Sequence, residues 1–249
     1  MDQKNNIRIF DTDAQLEEAT AEFIIRLSKD AISNRGQFVI SLSGGHTPEH
    51  LYTLLSKPSY KEQISWNKTF VFWGDERCVP AYDKDNNARM AKMLLLDHID
   101  MPTSNIYAVP TDLPPADAAK AYEQSLKDFF KGEAPIFDLM LLGLGENGHT
   151  ASLFPGTDVL HEKEHIVKEV YVAEQNMFRI TMTAPLINQS RNILFLLEGT
   201  GKAAVLKTIL TDAYQPEKYP AQLIKPVNGS IYWFADKQAA ALLPESGKA

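Results

Sequence analysis

The chain has 249 residues, of which 44% are hydrophobic and 23% charged, so it is long and apolar enough to bury one large core. Its formal net charge of −7 excludes the usual nucleic-acid-binding protein, which presents a basic surface to the phosphate backbone. Cys78 is the one cysteine in the sequence, which excludes an internal disulfide and a cysteine-based metal cluster.

The first six residues contain no apolar segment of the kind that directs secretion. No apolar stretch in the sequence approaches the ~20 residues that a membrane-spanning helix needs. We therefore expect a soluble, cytoplasmic protein with neither a membrane partner nor a nucleic-acid partner.

Strand-like and helix-like segments alternate along most of the chain. The predicted strands are Ile7–Phe10, Gln37–Leu42, Thr69–Trp73, Ile106–Val109, Ile136–Leu142, Ile166–Val172, Arg179–Thr183, Asn192–Leu197 and Ile231–Phe234. The predicted helices are Ala14–Ser33, one from Pro48, Asn86–Leu96, Ala116–Lys131 and one from Lys202. This alternation predicts an α/β fold, a single domain over residues 1–249 in which an open, mostly parallel sheet carries helices on both faces. Ligands of such sheets bind beyond the carboxyl ends of the strands, so the loops that follow the strands are the candidate sites.

The loop after the strand Gln37–Leu42 is suited to bind a phosphate group. It contains Gly44 and Gly45, followed by Thr47, which we expect to cap a helix that begins at Pro48. Free backbone N–H groups and the helix dipole would then meet at one point, as in known anion sites. The alternative is a tight, well-capped turn without a ligand, and His46 is expected to face solvent.

Three adjacent charged residues follow the strand Thr69–Trp73. Arg77 can hold a phosphate through two parallel hydrogen bonds, while Asp75 or Glu76 orients the arginine or accepts hydrogen bonds from sugar hydroxyls. The alternative is an Asp–Arg pair that only locks the loop.

Two further basic residues are candidate ligands for an anion. Arg179 begins the alternating run Arg179–Thr183, a pattern that a half-buried strand also shows without any function. Lys202 opens the helix that follows Gly199, so it is either a phosphate ligand or an exposed residue of a first helical turn.

The strand Ile136–Leu142 ends in a glycine-rich turn that is followed directly by His149. The turn satisfies the G-x-G-x-x-G pattern, but Pro155 and Gly156 prevent the full helix that a dinucleotide site requires. An imidazole after such a turn is suited to proton transfer or to ligand contact, although a lone histidine is often structural. His149 is therefore the candidate catalytic base.

The sequence shows none of the common motifs for covalent or metal-dependent hydrolysis. Ser152 lies three residues beyond His149, but no G-x-S-x-G turn surrounds it. An H-E-x-x-H helix, a Walker lysine motif and a dense set of carboxylates and histidines are also absent from the sequence. We therefore expect catalysis without a metal ion, without a cofactor and without a serine nucleophile.

Four segments together resemble the 6-phosphogluconolactonase branch of the glucosamine-6-phosphate isomerase/6-phosphogluconolactonase family. They are, in chain order, Ser43–Pro48, Trp73–Pro80, Gly145–Pro155 and Arg179–Thr183. The deaminases of this family carry an acidic residue shortly after the histidine, whereas residues 150–156 contain neither Asp nor Glu. The resemblance implies a Rossmann-like fold of the sugar-phosphate isomerase/lactonase type and hydrolysis of 6-phospho-D-glucono-1,5-lactone in the oxidative pentose phosphate pathway. We expect a monomer or a small homo-oligomer.

The resemblance also implies roles for individual residues. The segment Ser43–Pro48, here called the glycine loop, and Arg77 would bind the substrate phosphate. His149 would activate water. In the glycine loop these roles fall on Gly44, Gly45 and Thr47, and Arg179 and Lys202 would be additional ligands. Asp75, beside Arg77, is a further candidate for binding the substrate.

One position departs from the family pattern. Asn147 stands where family members commonly have Asp, and an amide can orient a nearby imidazole but cannot raise its basicity as a carboxylate does. Two alternative functions remain open. One is a glucosamine-6-phosphate deaminase-like isomerase on the same scaffold, and the other, which Asn147 alone supports, is a sugar-phosphate-binding regulator without catalysis.

Overall fold

Short apolar segments build two sheets within residues 6–244, the part of the chain that the computed structural model describes. The strands are β1 (Asn6–Phe10), β2 (Phe38–Leu42), β3 (Thr69–Trp73), β4 (Asp75–Arg77), β5 (Leu139–Leu142), β6 (Val167–Val172), β7 (Met177–Met182), β8 (Asn192–Leu197) and β9 (Ser230–Asp236). The helices are α1 (Asp13–Arg35), α2 (His46–Leu55), α3 (Pro58–Lys61), α4 (Asn87–Leu94), α5 (Pro115–Phe129), α6 (Ala184–Ile187) and α7 (Ala203–Thr211). Six strands form a parallel sheet in the order β1-β9-β8-β5-β2-β3, which confirms the predicted fold class.

Both faces of the parallel sheet are buried, because successive side chains of a strand point to opposite faces. In β5, Leu139 and Leu141 belong to one apolar cluster, whereas Met140 and Leu142 belong to the other. Helices α1, α2 and α4 cover the first face. Helices α5 and α7, together with strands β6 and β7, cover the second.

The order in which consecutive strands are added to the sheet changes direction at β2. The connection from β2 leads outward to β3 at one edge, while β5 pairs with the other side of β2 and leads on to β8 and β9. Such a switch point leaves a crevice between diverging loops at the carboxyl ends of the strands. The crevice lies beyond β2 and β5, where the glycine loop and His149 are found.

A small antiparallel sheet, in the order β4-β7-β6, lies beside this crevice and corrects one prediction. Residues 75–77 were expected to form a loop because three charges follow one another, but they form β4, which pairs with β7. The charged side chains are tolerated in a strand because Asp75 and Arg77 face the crevice rather than the core. The predicted strands over 166–172 and 179–183 are present as β6 and β7.

The predicted strand Ile106–Val109 is wrong. Ile106 forms only an isolated bridge to Val71, at the edge strand β3. The ring of Tyr107 then stacks flat on Phe72, with centroids 4.5 Å apart, so the segment packs through side chains instead of continuing the sheet. The remaining predicted helices and strands shift by a few residues at their ends, as expected where helices fray and caps intervene.

No helix in the described part of the chain combines the length and the apolar character that crossing a bilayer requires. The expectation that no secretion segment begins the chain concerns residues 1–6, and the first five of these lie outside the described residues.

Candidate active site

A cavity of about 520 Å³ opens at the carboxyl ends of the parallel strands. Its walls come from the loops that follow β2, β3, β5, β8 and β9. The structure brings the predicted catalytic and substrate-binding residues to this cavity, with Glu76 as the exception among the candidates. They are Gly44, Gly45, Thr47, Asp75, Arg77, His149, Arg179 and Lys202.

Helix α2 begins at the cavity, but it begins earlier than predicted. Gly45 is its N-cap with φ 106°, a backbone conformation that favours glycine, and no side chain within residues 6–244 caps the helix. The expected Thr47 cap is therefore wrong. The glycine loop after β2 ends at Gly45, so His46 and Thr47 already belong to the first turn of the helix. The first N–H groups of α2 are left without a side-chain acceptor, which suits an anionic ligand.

Asn87 holds the glycine loop against the strand β4, a role that the sequence does not reveal. A Cβ atom at Gly44 would lie 1.9 Å from Asn87 Oδ1, so a larger residue there would displace the Asn87 side chain. Asn87 Nδ2 donates to the backbone oxygen of Asp75 at 3.0 Å. The two loops that carry the predicted phosphate ligands are thus fixed to each other.

Glu76 anchors β4 to the start of α4 and lies away from the cavity. Its carboxylate accepts hydrogen bonds from the backbone N–H groups of Arg77, Asn87 and Ala88 at 2.7–2.8 Å. Burial raises the pKa of Glu76 to about 7, against the effect of these three donors. Glu76 is therefore a structural residue, and Asp75 and Arg77 on either side of it face the cavity.

Two buried tyrosines fix the ends of β2 and β3 in the same way. Tyr52 Oη accepts from the N–H of Ser43 and donates to its carbonyl, at 3.1 and 2.7 Å. Tyr122 Oη makes the matching pair of bonds with Trp73, at 2.8 and 3.0 Å. Each hydroxyl clamps the last residues before a loop enters the cavity, and in the sequence both tyrosines look like ordinary core residues.

Arg77 and Arg179 form a pair of positive charges at the cavity wall. They are directly opposite each other in the register of β4 and β7, an arrangement that is unfavourable for like charges. Asp75 offsets this repulsion in part, since its Oδ2 lies 3.7 Å from Arg179 Nη1. The buried Nε atoms of both arginines have no hydrogen-bond partner within residues 6–244, so the pair is suited to bind an anion.

Ser152 is not placed as a nucleophile. It is fully buried, and its hydroxyl donates to Asp75 Oδ2 at 2.6 Å. Its backbone N–H donates to Thr181 Oγ1 at 3.2 Å. This hydrogen bond from the buried Ser152 orients the carboxylate of Asp75.

Within residues 6–244, one ring nitrogen of His149, Nδ1, is hydrogen-bonded, and the other, Nε2, has no hydrogen-bond partner. Nδ1 lies 2.6 Å from Asn147 Oδ1, which also accepts from the backbone N–H of His149 at 3.2 Å. Because an amide oxygen can only accept, Nδ1 carries the hydrogen and Nε2 carries the lone pair. The ring stacks on Phe154 with centroids 4.0 Å apart. A Cβ at Gly145 would lie 2.1 Å from the ring, so this glycine makes room for the imidazole.

The surroundings keep His149 neutral at physiological pH. Burial lowers its pKa from 6.5 to about 4. Asp75 opposes this shift, whereas Arg179, Lys202 and Arg77 add to it. A neutral imidazole with a free Nε2 is ready to accept a proton.

Replacing Asn147 with aspartate should move the acid limb of kcat/KM to higher pH. A carboxylate 2.6 Å from Nδ1 stabilises the imidazolium, so the pKa of His149 rises above about 4. Activity then begins to fall at a higher pH than in the wild type. The measurement is the pH–rate profile of both proteins with the phosphorylated lactone.

Asn67→Asp is the matched control, since Asn67 is exposed and precedes β3 at the end of the sheet opposite the cavity. It adds the same charge and should leave the profile unchanged. Superimposable profiles for wild type and Asn147→Asp would show that residue 147 does not tune His149.

Residues 11–233 match the family described as glucosamine-6-phosphate isomerases/6-phosphogluconolactonase. The chain belongs to this family. The match covers every element that contributes to the cavity except the last residues of β9 and the turn after it. The family assignment from four short motifs is confirmed.

Within the family, the chain is similar to 6-phosphogluconolactonases over almost its whole length. The 6-phosphogluconolactonase of Synechocystis sp. is 42% identical over 90% of this chain and 92% of its own. The structure of 6-phosphogluconolactonase from Trypanosoma brucei superposes with a TM-score of 0.85, at 29% identity, over 97% of this chain and all of that one. A monomeric glucosamine-6-phosphate deaminase shares the fold alone, at 23% identity and a TM-score of 0.80 over 95% and 99% of the two chains.

Proposed function

We propose that this chain hydrolyses 6-phospho-D-glucono-1,5-lactone to 6-phosphogluconate, the second step of the oxidative pentose phosphate pathway. The observation that carries the proposal is a neutral histidine that shares one cavity with two arginines, where His149 Nε2 and the Nε atoms of both arginines have no hydrogen-bond partner within residues 6–244. The similarity to 6-phosphogluconolactonases along 90% of the chain supports the choice of substrate.

The phosphate group binds at the glycine loop. The uncapped N–H groups at the start of α2 and the guanidinium of Arg77 supply hydrogen bonds and positive charge, although the protein as a whole is acidic. This binding energy orients the lactone carbonyl towards His149, so a substrate without phosphate loses turnover as well as affinity.

His149 acts as the general base in the chemical step. Nε2 removes a proton from water as the water oxygen attacks C1 of the lactone, which forms a tetrahedral oxyanion. When the C1–O5 bond breaks, the imidazolium returns the proton to O5, and the ring opens to the free acid. A δ-lactone is an activated ester, so this step needs less acceleration than peptide hydrolysis.

Arg179 is the better placed donor for the oxyanion. The backbone N–H groups of the Gly145–Gly148 turn are the alternative donors, but two of the four are already used: that of Gly145 donates to the carbonyl of His149 and that of Gly148 to the carbonyl of Gly145. Arg179 Nε is buried and has no partner within the described residues. A preorganised charged donor of this kind stabilises charge that develops in the transition state.

An assay of two reactions decides between this function and its alternatives. We expect the purified chain to accelerate lactone hydrolysis above the spontaneous rate and to release no ammonia from glucosamine-6-phosphate. Ammonia release would favour the deaminase, although residues 150–156 lack the acidic residue of that branch. Tight binding of 6-phosphogluconate without either reaction would favour a regulator.

Removal of divalent metal ions should leave lactone hydrolysis unchanged. Water activation by His149 requires no Lewis acid, and the mechanism uses only protein donors. The measurement is kcat and KM before and after dialysis against EDTA. A complete loss of activity that one divalent ion restores would contradict the mechanism.

We also propose that the whole chain forms one catalytic domain that works in the cytoplasm as a monomer or a small homo-oligomer, without a nucleic-acid partner. The net charge of −7 supports the absence of a nucleic-acid partner. The cavity is lined by elements from along the chain, which supports a single domain.

A further inference from the structure

A second group of side chains lies at the rim of the cavity, and no step of the mechanism uses it. His46, His50 and Glu198 each offer one ligand atom, and these atoms all lie within 4.8 Å of one another. We propose that these three residues, the rim cluster, bind a divalent transition-metal ion of the Zn²⁺ type beside the phosphate site. The sequence showed no such set because Glu198 follows β8 and reaches α2 only in the fold.

The two histidines come from one face of α2. They are four residues apart, which places their side chains one above the other on a helix. Their ring centroids are 4.7 Å apart, and both residues are exposed. Imidazole nitrogens in this arrangement are ligands for zinc, copper or nickel rather than for magnesium or calcium.

Glu198 supplies the third ligand, and it is the residue that most needs a cation. Its carboxylate is hydrogen-bonded by Thr47, but its Oε1 is buried and has no hydrogen-bond partner within residues 6–244. An unpaired buried carboxylate oxygen is costly, and a metal ion removes that cost.

Glu17 supports the cluster from α1. Its Oε1 lies 3.3 Å from His50 Nδ1, so Nε2 is the nitrogen of His50 that remains for a metal. A carboxylate behind a ligating histidine fixes the ring and raises its basicity, as in many zinc sites. The rim cluster therefore has both direct ligands and an outer partner.

Three protein ligands leave a fourth position of a tetrahedral zinc ion open. His46 and Glu198 also line the substrate cavity, so the rim cluster borders the substrate site. The cluster contains neither His149 nor the two arginines. Metal binding is thus separate from water activation, and the proposal stands or falls independently of the proposed function.

The test is calorimetric titration of the purified, untagged full chain with ZnCl₂. We expect one saturable Zn²⁺ per chain, and affinity at least about tenfold weaker in His50→Ala and in Glu198→Gln. His161→Ala is the matched control, since it removes an exposed histidine that is also paired with a glutamate, Glu217, at 3.5 Å. The control should bind Zn²⁺ like the wild type.

Lactone hydrolysis in EDTA confirms that His50→Ala is folded, because His50 takes no part in the mechanism. Three results would overturn the proposal. They are no saturable Zn²⁺ binding to the wild type, unchanged affinity in the folded His50→Ala and Glu198→Gln variants, and loss of binding only in His149→Ala, which would assign the metal to the catalytic histidine.

Discussion

Replacing His149 with alanine should lower kcat for hydrolysis of the phosphorylated lactone by about 10²- to 10⁴-fold, the usual effect of removing a general base. Binding of 6-phosphogluconate should change little, because the proposed phosphate ligands, the glycine loop and Arg77, lie on other segments of the cavity wall. The measurement combines steady-state kinetics, corrected for spontaneous hydrolysis, with calorimetry of product binding.

His161→Ala serves as the control here too, since its histidine is 68% exposed and lies outside the cavity. Wild-type turnover is expected for this variant. Near-wild-type turnover in His149→Ala would exclude the histidine as the base.

Replacing Arg77 with lysine should weaken 6-phosphogluconate binding by about 10- to 100-fold, since a hydrogen bond to a charged group contributes ~1.5–3 kcal/mol. Arg77 Nη1 donates to the carbonyl of Asp85 at 2.7 Å, which fixes the guanidinium of a residue that lines the cavity. A lysine keeps the charge, but it cannot anchor itself to Asp85 and present a planar fork to phosphate at the same time.

Arg26→Lys, an exposed change on α1, is the matched control and should bind like the wild type. Gluconate, which lacks the phosphate, should discriminate little between wild type and Arg77→Lys. Equal binding of 6-phosphogluconate by these two proteins would show that Arg77 is not a phosphate ligand.

The sequence predicted where the site lies better than how it is built. The alternation of strands and helices fixes a parallel sheet, and such a sheet brings the loops after β2, β3, β5 and β8 to one edge. The selected residues therefore share one cavity although they come from separate segments. Their hydrogen bonds, by contrast, depend on local geometry that periodicity does not encode.

Two features show why the sequence did not predict the local geometry of the site. The opposition of Arg77 and Arg179 depends on the register between β4 and β7, two segments that are distant in sequence. The N-cap of α2 depends on the turn at Gly45, where a positive φ ends the loop before Thr47. Capping preferences predict which residue types stand at the start of a helix. The residue at which the helix begins also depends on tertiary contacts, such as that between Gly44 and Asn87.

The glycine turn before His149 was interpreted as presenting the imidazole for proton transfer or ligand contact. In the structure, the space at Gly145 is taken by the imidazole itself, which packs between this glycine and Phe154. Asn147 closes the turn from the side and fixes the tautomer. The departure from the family's aspartate therefore leaves the orientation of His149 intact and removes only a charge.

The most direct test of His149 as a neutral general base is the pH dependence of wild-type kcat/KM for the phosphorylated lactone, with folding followed by circular dichroism over the same range. The unprotonated ring is the active form, so activity is lost as the pH falls through the pKa of the free enzyme. We predict a plateau through neutral pH and one acid limb with its midpoint near 4. An acid limb centred at or above 6.5, the ordinary value for histidine, would contradict a buried and neutral His149.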